Sequence, residues 1–542
     1  MNKHTAELLE RHFDIAFAAP DGFKKLRELI LTLAMQGKLV PQDPNEQPAN
    51  ELLQEIEAEK QRLVKEGKIK KPKPLPPVTE EEEPYSLPQG WGWIRLGGLL
   101  DFEYGDNLPE RKRTNSGEFP VYGSNGIVGS HSKAFVNTQC IVIGRKGSAG
   151  ALNLCLADGC CVTDVAYYCI PPQQIDLTFC FRLLHTLKLD SLGKGIKPGL
   201  NRNEAYVLVI AVPPRKEQLR IVAKIDELMA CCDELEKLRT AQKEARLTVH
   251  AAAIKQLLNI AEPDQHEHAQ AFLAEHFGEL YTVKENVAEL RKAILQLAVM
   301  GKLVPQNPDD QPASELLRKI NAVKRTLEEK EGLRTSAAPF VSQSEELYGK
   351  PEGWSYCRLG NIGKFIDYRG KTPTKVETGV PLITAKNVRF GYINREPKEY
   401  VTPEEYIRWM TRGFPRVGDI LFTTEAPLGN VAIIDIEERF ALAQRVICLQ
   451  LHMPGIASWL KNFMMSDSFQ ERLLLEATGM TATGIKASKL KEMPVPIPPL
   501  EEQYRIVAKV DQVMALCDSL DQQIDAAATK QAELLGAVIA QV

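Results

Sequence analysis

The stretch VPPRKEQLRIVAKIDELMACCDELE, Val212 to Glu236, returns 285 positions later as IPPLEEQYRIVAKVDQVMALCDSLD, Ile497 to Asp521, with 15 of 25 residues identical. Beyond Pro214 the positions Ile221, Ile225, Leu228, Met229, Cys232, Leu235 and Leu238 recur three and four apart, the stripe of an amphipathic helix. No Gly or Pro interrupts Lys216 to Ala261, so a continuous helix of roughly 65 Å is expected at 1.5 Å per residue. Upstream, LRELILTLAMQGKLVPQDPNEQPANELLQEIEAEK (Leu26 to Lys60) returns as LRKAILQLAVMGKLVPQNPDDQPASELLRKINAVK (Leu290 to Lys324) at an offset of 264. Leu26, Leu29, Ile30 and Leu33 predict a shorter helix ending at Gly37, a C-cap residue. A tryptophan marker follows each copy, PQGWGWIRLG around Trp91 and PEGWSYCRLG around Trp354.

The order is therefore arm, variable block, spacer, repeated once, which is a tandem duplication. The two variable blocks, about 98–211 and 361–496, match only in scattered fragments. IVIGRKGSAG, CVTDVAYYCI and YVLVIAVPP in the first, and DILFTTEAPLGNVAIID and RVICLQL in the second, are short β-branched runs broken by Gly and Pro, as in strands of a mixed α/β domain. Each block also carries one helix-like stretch, Phe179 to Leu187 and Ser458 to Leu474. KIKKPKPLPPVTEEEEPYSLP, from Lys68, reads as a semi-rigid extended linker.

Length and composition bound the rest. At 542 residues and 60.5 kDa, about three to four domains are expected at roughly 150 residues each. With 44% apolar and 25% charged residues the composition is that of an ordinary globular protein, and no apolar run approaches the roughly 20 residues that cross a bilayer. MNKHTAELLERHF carries no secretory apolar core, so a cytoplasmic location is expected. The eleven cysteines, with Cys160–Cys161 and Cys231–Cys232 as direct neighbours, suit neither a disulfide framework nor a CxxC metal knuckle and read as free buried thiols. Net charge is −4, yet the blocks carry +1 (11 basic, 10 acidic) and +3 (18 basic, 15 acidic), leaving −8 for the remainder. The blocks are the relatively basic parts, a weak electrostatic hint of nucleic acid.

Catalytic signatures are sparse. GKGIKPG near Gly193 lacks the spacing and the Ser or Thr of a phosphate loop, and none of the four Pro-Pro pairs continues into the tetrapeptide of a base-flipping amino-methyltransferase. Pro308, Asp309, Glu328 and Lys330 fit a loose PD…ExK nuclease pattern, but the first arm has Asp43-Pro44-Asn45 at the equivalent place. His266 and His268 lie in a polar linker without paired metal spacing.

VPPRKEQLRIVAKIDELM and IPPLEEQYRIVAKVDQVM resemble the Pro-Pro-x-x-E-Q-x-x-I boundary that closes each target recognition domain in the specificity subunits of type I restriction-modification enzymes. GEFPVYGSNGIVG with IVIGRKGSAG, and GVPLITAKNVRFGYI with GDILFTTEAPLGNVAII, resemble the two halves of such domains. GIKPG (Gly195 to Gly199) and GIKAS (Gly484 to Ser488) resemble their closing Gly-Ile-Lys turn. The arm of about 86 residues at the N-terminus matches a subgroup with a long helical extension, and this circular shift predicts that the N-terminal arm packs beside the C-terminal spacer.

The resemblance implies an α+β fold: two mixed α/β recognition domains separated by a pair of long antiparallel helices, with an internal pseudo-two-fold duplication. The expected division is 1–86 arm and linker, 87–211 first recognition domain, 212–345 central spacer and second arm, 346–496 second recognition domain and 497–542 C-terminal spacer. It further implies a non-catalytic subunit reading a bipartite, asymmetric double-stranded DNA target, with half-sites about one helical turn apart, near 34–36 Å. The implied partners are two modification (methyltransferase) subunits and two restriction (nuclease and translocase) subunits. S-adenosylmethionine, ATP and Mg would be used by those partners, and no cofactor or metal is expected on this chain. Loop residues with groove-reading or phosphate-binding chemistry are Tyr122, Ser124, Asn125, Arg145, Lys146, Ser148 and Lys197 in the first block. In the second they are Arg369, Lys371, Thr384, Lys386, Asn387, Arg389, Thr423, Thr424, Asn430 and Lys486. A coiled-coil scaffold for protein partners, or a Mg-dependent nuclease, are the alternatives.

Overall fold

The computed structural model describes residues 10, 11, 13–15, 17–67, 73–114, 116–193, 199–259, 262–330, 339–368, 373–478 and 483–540. The chain forms two compact units, Met1–Gln242 with Ala527–Val542, and Lys243–Ala526.

Each arm is a helix pair: Gly22–Met35 with Ala49–Lys65, and Lys284–Val299 with Ala313–Lys330. Gly37 sits at φ 66°, its N–H donating to Ala34 O at 3.1 Å while Lys38 N–H reaches Leu33 O at 2.9 Å. Gly301 repeats this at φ 67°, with Ala298 at 3.1 Å and Lys302 N–H to Leu297 O at 2.9 Å. These paired bonds satisfy the last carbonyls of the helix and require the left-handed backbone that glycine adopts without cost. A Cβ at either glycine would also press on the marker, 3.0 Å from a Trp91 ring carbon and 3.1 Å from one of Trp354.

The spacers are helices Arg215–Leu257, 43 residues, and Leu500–Ala540, 41 residues. In the first unit Ile221, Ile225 and Cys232 share a buried cluster with Leu535 and with Leu26, Leu29 and Ile30. The N-terminal arm thus packs beside the end of the C-terminal helix, as the circular order requires. In the second unit Ala253, Ile254 and Leu257 share a cluster with Ile506, Val510 and Cys517. The start of one helix thus shares a core with the end of the other in the first unit, and the reverse holds in the second. The stripe leaves the core at Leu235 and Leu238, which are 41% and 59% exposed.

The variable blocks, though scarcely alike in sequence, have the same sheets. In the first, Gly92–Arg95 pairs antiparallel with Val209–Val212, and a four-stranded sheet runs Glu103–Tyr104, Ala166–Cys169, Cys140–Gly144, Leu152–Cys155. A three-stranded sheet runs Gly126–His131, Phe119–Gly123, Cys161–Val162. The second block matches strand for strand: Ser355–Arg358 with Pro494–Ile497, then Gly363–Asp367, Val446–Leu451, Ile420–Thr424, Leu428–Ile433, then Tyr400–Val401, Val380–Ile383, Ala441–Leu442. The duplication is conserved in hydrogen-bond topology where identity has faded.

Two expectations need amending. Ser458 to Leu474 is not one helix but two, Ala457–Met465 and Asp467–Glu476. Ser466 separates them at ψ 153°, its Oγ donating to Phe463 O at 2.7 Å and accepting from Phe469 N. The linker, extended through residues 73–79, is also strapped down. The buried Arg95 guanidinium donates to Pro76 O and Pro77 O (both 3.2 Å), to Val207 O (2.8 Å) and to Glu82 (2.7 Å). Arg358 holds the second linker identically through Pro339 O, Phe340 O, Glu492 O and Glu345. Each arginine thereby ties a linker to both ends of its block.

Candidate nucleic-acid interface

In the first block the candidate residues gather on two adjoining turns. Ser124 and Asn125 form the turn between Phe119–Gly123 and Gly126–His131, and Arg145–Ser148 lies between Cys140–Gly144 and Leu152–Cys155. Gly144 lets the turns close: a Cβ there would strike Ser148 O and Ser124 O. Asn125 and Lys146 are exposed, and Ser124, Arg145 and Ser148 are half-buried. Tyr122 differs. It is 7% exposed in a small core, so it supports the turn and presents no side chain to a ligand.

In the second block Lys386 and Lys486 are exposed, and Thr384, Arg389 and Asn430 half-buried. Asn387, Thr423 and Thr424 are buried, which corrects their assignment as ligand-facing side chains. Asn387 Oδ1 accepts from Thr384 N (3.0 Å) and Oγ1 (2.9 Å), while its amide donates to Asn394 O and Pro397 O at 3.1 Å. This closes the loop bearing Lys386 and Arg389. Thr423 Oγ1 accepts from Asn430 N at 2.9 Å, and Asn430 Nδ2 donates to Val388 O at 2.9 Å, fastening that loop to the strand hairpin. Buried amides and hydroxyls here satisfy backbone groups that would otherwise be costly to desolvate. Lys197, Arg369 and Lys371 lie outside the described residues.

The closing turns pair differently from the sequence reading. Leu200 N–H donates to Arg145 O at 2.9 Å and Gly199 bridges Lys146; Ile485 N–H donates to Thr424 O at 3.0 Å and Gly484 bridges Glu425. Gly199 is thus the counterpart of Gly484, at the offset of 285 that relates the spacers. The equivalent turns are Gly199-Leu200-Asn201 and Gly484-Ile485-Lys486, not GIKPG and GIKAS. Asn201 and Lys486 occupy the same place, each the N-cap of a short helix, Arg202–Tyr206 and Ala487–Glu492. A repeated glycine-lysine tripeptide pulled the alignment four residues out of register.

Sequence reasoning also missed Tyr104 and Arg202. The half-exposed Tyr104 ring carries the Arg145 guanidinium at 4.7 Å and that of Arg202 at 4.8 Å from its centroid. Arg145 Nη1 donates to Asp164 O at 2.8 Å and Arg202 Nη1 to Phe102 O at 2.6 Å. Neither forms a salt bridge to a carboxylate among the described residues. Two aromatic-supported guanidiniums with donors to spare form a receptor suited to phosphate or a base edge. In the second block Arg445, at φ 74°, stands beside Glu425 at 3.5 Å, and its carbonyl accepts from Thr424 N.

The Pro-Pro boundary is structural. Glu217 and Gln218 are 1% and 0% exposed, Glu502 and Gln503 both 1%. Glu217 accepts from Gln42 at 3.1 Å and Glu502 from Gln306 at 2.7 Å, locking each arm to its spacer. Arg220 pairs with Glu46, and Arg505 with Asp310 at 2.6 Å. Asp310, next to the nuclease candidate Asp309, is thus spent on a spacer arginine. Among the described residues, the one grouping of three or more possible metal ligands is Cys140, Cys155 and Cys160, which includes neither Asp309 nor Glu328. His266 Nδ1–H donates to Leu257 O at 2.6 Å, closing the end of the long helix.

The family described as type I restriction modification DNA specificity domain matches residues 88–244 and 351–530. The EcoAI type I restriction enzyme specificity subunit of Escherichia coli is 33% identical over 95% of this chain and 93% of its own length. The EcoEI specificity subunit, also of Escherichia coli, is 28% identical over the same shares. A chain solved in work on complex assembly and conformational transition of the type I R-M system aligns with a TM-score of 0.48 and 18% identity, covering 84% of this chain and 98% of that one. With both blocks and both boundaries matched, the chain belongs to the family of type I restriction-modification DNA specificity subunits.

Proposed function

We propose that this DNA-specificity subunit reads a bipartite, asymmetric target, one half-site per variable block. The carrying observation is that two blocks of identical sheet order present different chemistry from equivalent turns: Asn201 against Lys486, Lys146 against Glu425. One scaffold with dissimilar turns reads two dissimilar sequences. The long helices, each contributing residues to both units, set the gap between half-sites. Methyl transfer and cleavage fall to two modification and two restriction subunits, which use S-adenosylmethionine, ATP and Mg in the cytoplasm. Family membership favours this reading over a coiled-coil scaffold or an autonomous nuclease.

The test is a domain exchange. Replacing residues 98–211 with the corresponding block of a relative, in cells carrying the cognate methyltransferase, should change one half of the methylated motif and leave the other. A motif altered in both halves, or one continuous motif, overturns the proposal. Removing four residues, about one turn, from either long helix should shorten the gap or abolish modification.

A further inference from the structure

Three thiols converge at the far end of strand Cys140–Gly144 from the Arg145 turn. Cys140 and Cys155 are direct cross-strand partners, and Cys160 joins them through the bridge between Val136 and Cys160. All three are fully buried, their sulfurs lie within 4.8 Å of one another, and Cys140 and Cys160 are 3.7 Å apart. Zinc–sulfur bonds of about 2.3 Å in a tetrahedron place neighbouring sulfurs about 3.8 Å apart. Cysteine richness alone does not explain this: the adjacent Cys161 turns away and donates to Lys133 O at 3.1 Å.

The surroundings supply a second observation. The buried cluster here has eight residues, namely the three cysteines with Tyr122, Val136, Val142, Val162 and Ala166. The matching cluster of the second block has 21, with a single cysteine. At the corner equivalent to Cys140 stands Asp419, whose carboxylate accepts from Arg416 N at 2.8 Å and Gln450 at 3.1 Å. One block fills this corner with a satisfied polar network and a large apolar core; the other has sulfur and little else.

We propose that Cys140, Cys155 and Cys160 form a structural site for a thiophilic d10 cation, zinc in the cell, inside the buried cluster they share with Tyr122. Soft sulfur donors select such ions over magnesium or calcium. Binding is a ligand exchange without redox: the ion loses water, three sulfur–metal bonds form, and three thiol protons leave to solvent. This departs from the expectation that the chain carries no metal, and it stands independently of the DNA-reading proposal.

The experiment uses the full-length chain purified without chelators from zinc-replete cells. Elemental analysis should return one zinc per chain, and exchange with cobalt should give an intense sulfur-to-cobalt charge-transfer band. The Cys140→Ser/Cys155→Ser/Cys160→Ser variant should hold no zinc, whereas Cys232→Ser and Cys448→Ser should hold it fully. Absence of zinc together with absence of the cobalt band in the unmutated chain overturns the proposal, as does zinc retained by the triple variant. Should the triple variant fail to fold, the cobalt spectrum of the unmutated chain decides alone.

Discussion

Trp354 Nε1 donates to Glu502 Oε2 at 3.0 Å, joining the marker behind the second arm to the first turn of the C-terminal helix across 148 positions. The other oxygen of the same buried carboxylate accepts from Gln306. Burial pushes the Glu502 carboxyl up, and the two donors oppose it. Tryptophan marker, arm and Pro-Pro boundary thus meet at a single side chain.

Glu502→Ala should therefore destabilise the chain by about 2–3 kcal/mol, because it leaves two buried donors unpaired. Glu502→Gln keeps one acceptor oxygen and should fall between. Urea unfolding followed by tryptophan fluorescence checks both.

The linker straps predict an acid limb. Arg95 holds the Glu82 carboxyl at about 2 against an ordinary 4.5, and the backbone and hydroxyl of Ser342, with Arg358, hold Glu345 there too. A folded-state value below the unfolded one stabilises above pH 4.5, and that stabilisation is lost as pH falls through about 2. Thermal melts between those limits should fall less steeply for Glu82→Gln and Glu345→Gln than for the unmutated chain.

Arg202→Gln should weaken DNA binding uniformly across sequences and lower the slope of log affinity against log salt by about one, as for a lost phosphate contact. The methylated motif should stay the same. If instead one base position relaxes while the slope holds, Arg202 reads a base. Tyr104→Leu removes the platform under both guanidiniums and should reduce the slope by up to about two.

Gly301→Ala should cost about 1–3 kcal/mol, because the position needs a left-handed backbone and its Cβ would press on Trp354. Gly278→Ala, where nothing lies within 4 Å of the added carbon, serves as the control in calorimetry.

Periodicity and repetition are local properties of a chain, and they made much legible. The long helices, the glycine stop at residue 37, the strand runs and the duplicated order follow from spacing alone, because helix and strand each impose their own period on buried positions. The resemblance carried by the Pro-Pro boundaries then gave the family. The candidate loops were partly legible: Lys146, Lys386 and Lys486 are exposed, but Asn387 and Thr423 carry the same chemistry and spend it indoors.

Only tertiary structure decided the rest. Whether Asn201 or Lys197 matches Lys486, that Arg95 reaches back to Pro76 and across to Val207, and that Cys140, Cys155 and Cys160 share one corner all depend on hydrogen bonds and packing between residues far apart in sequence. A chain's order records which residues are neighbours along the backbone, whereas the partners that satisfy a buried donor or fill a small core are chosen by the fold.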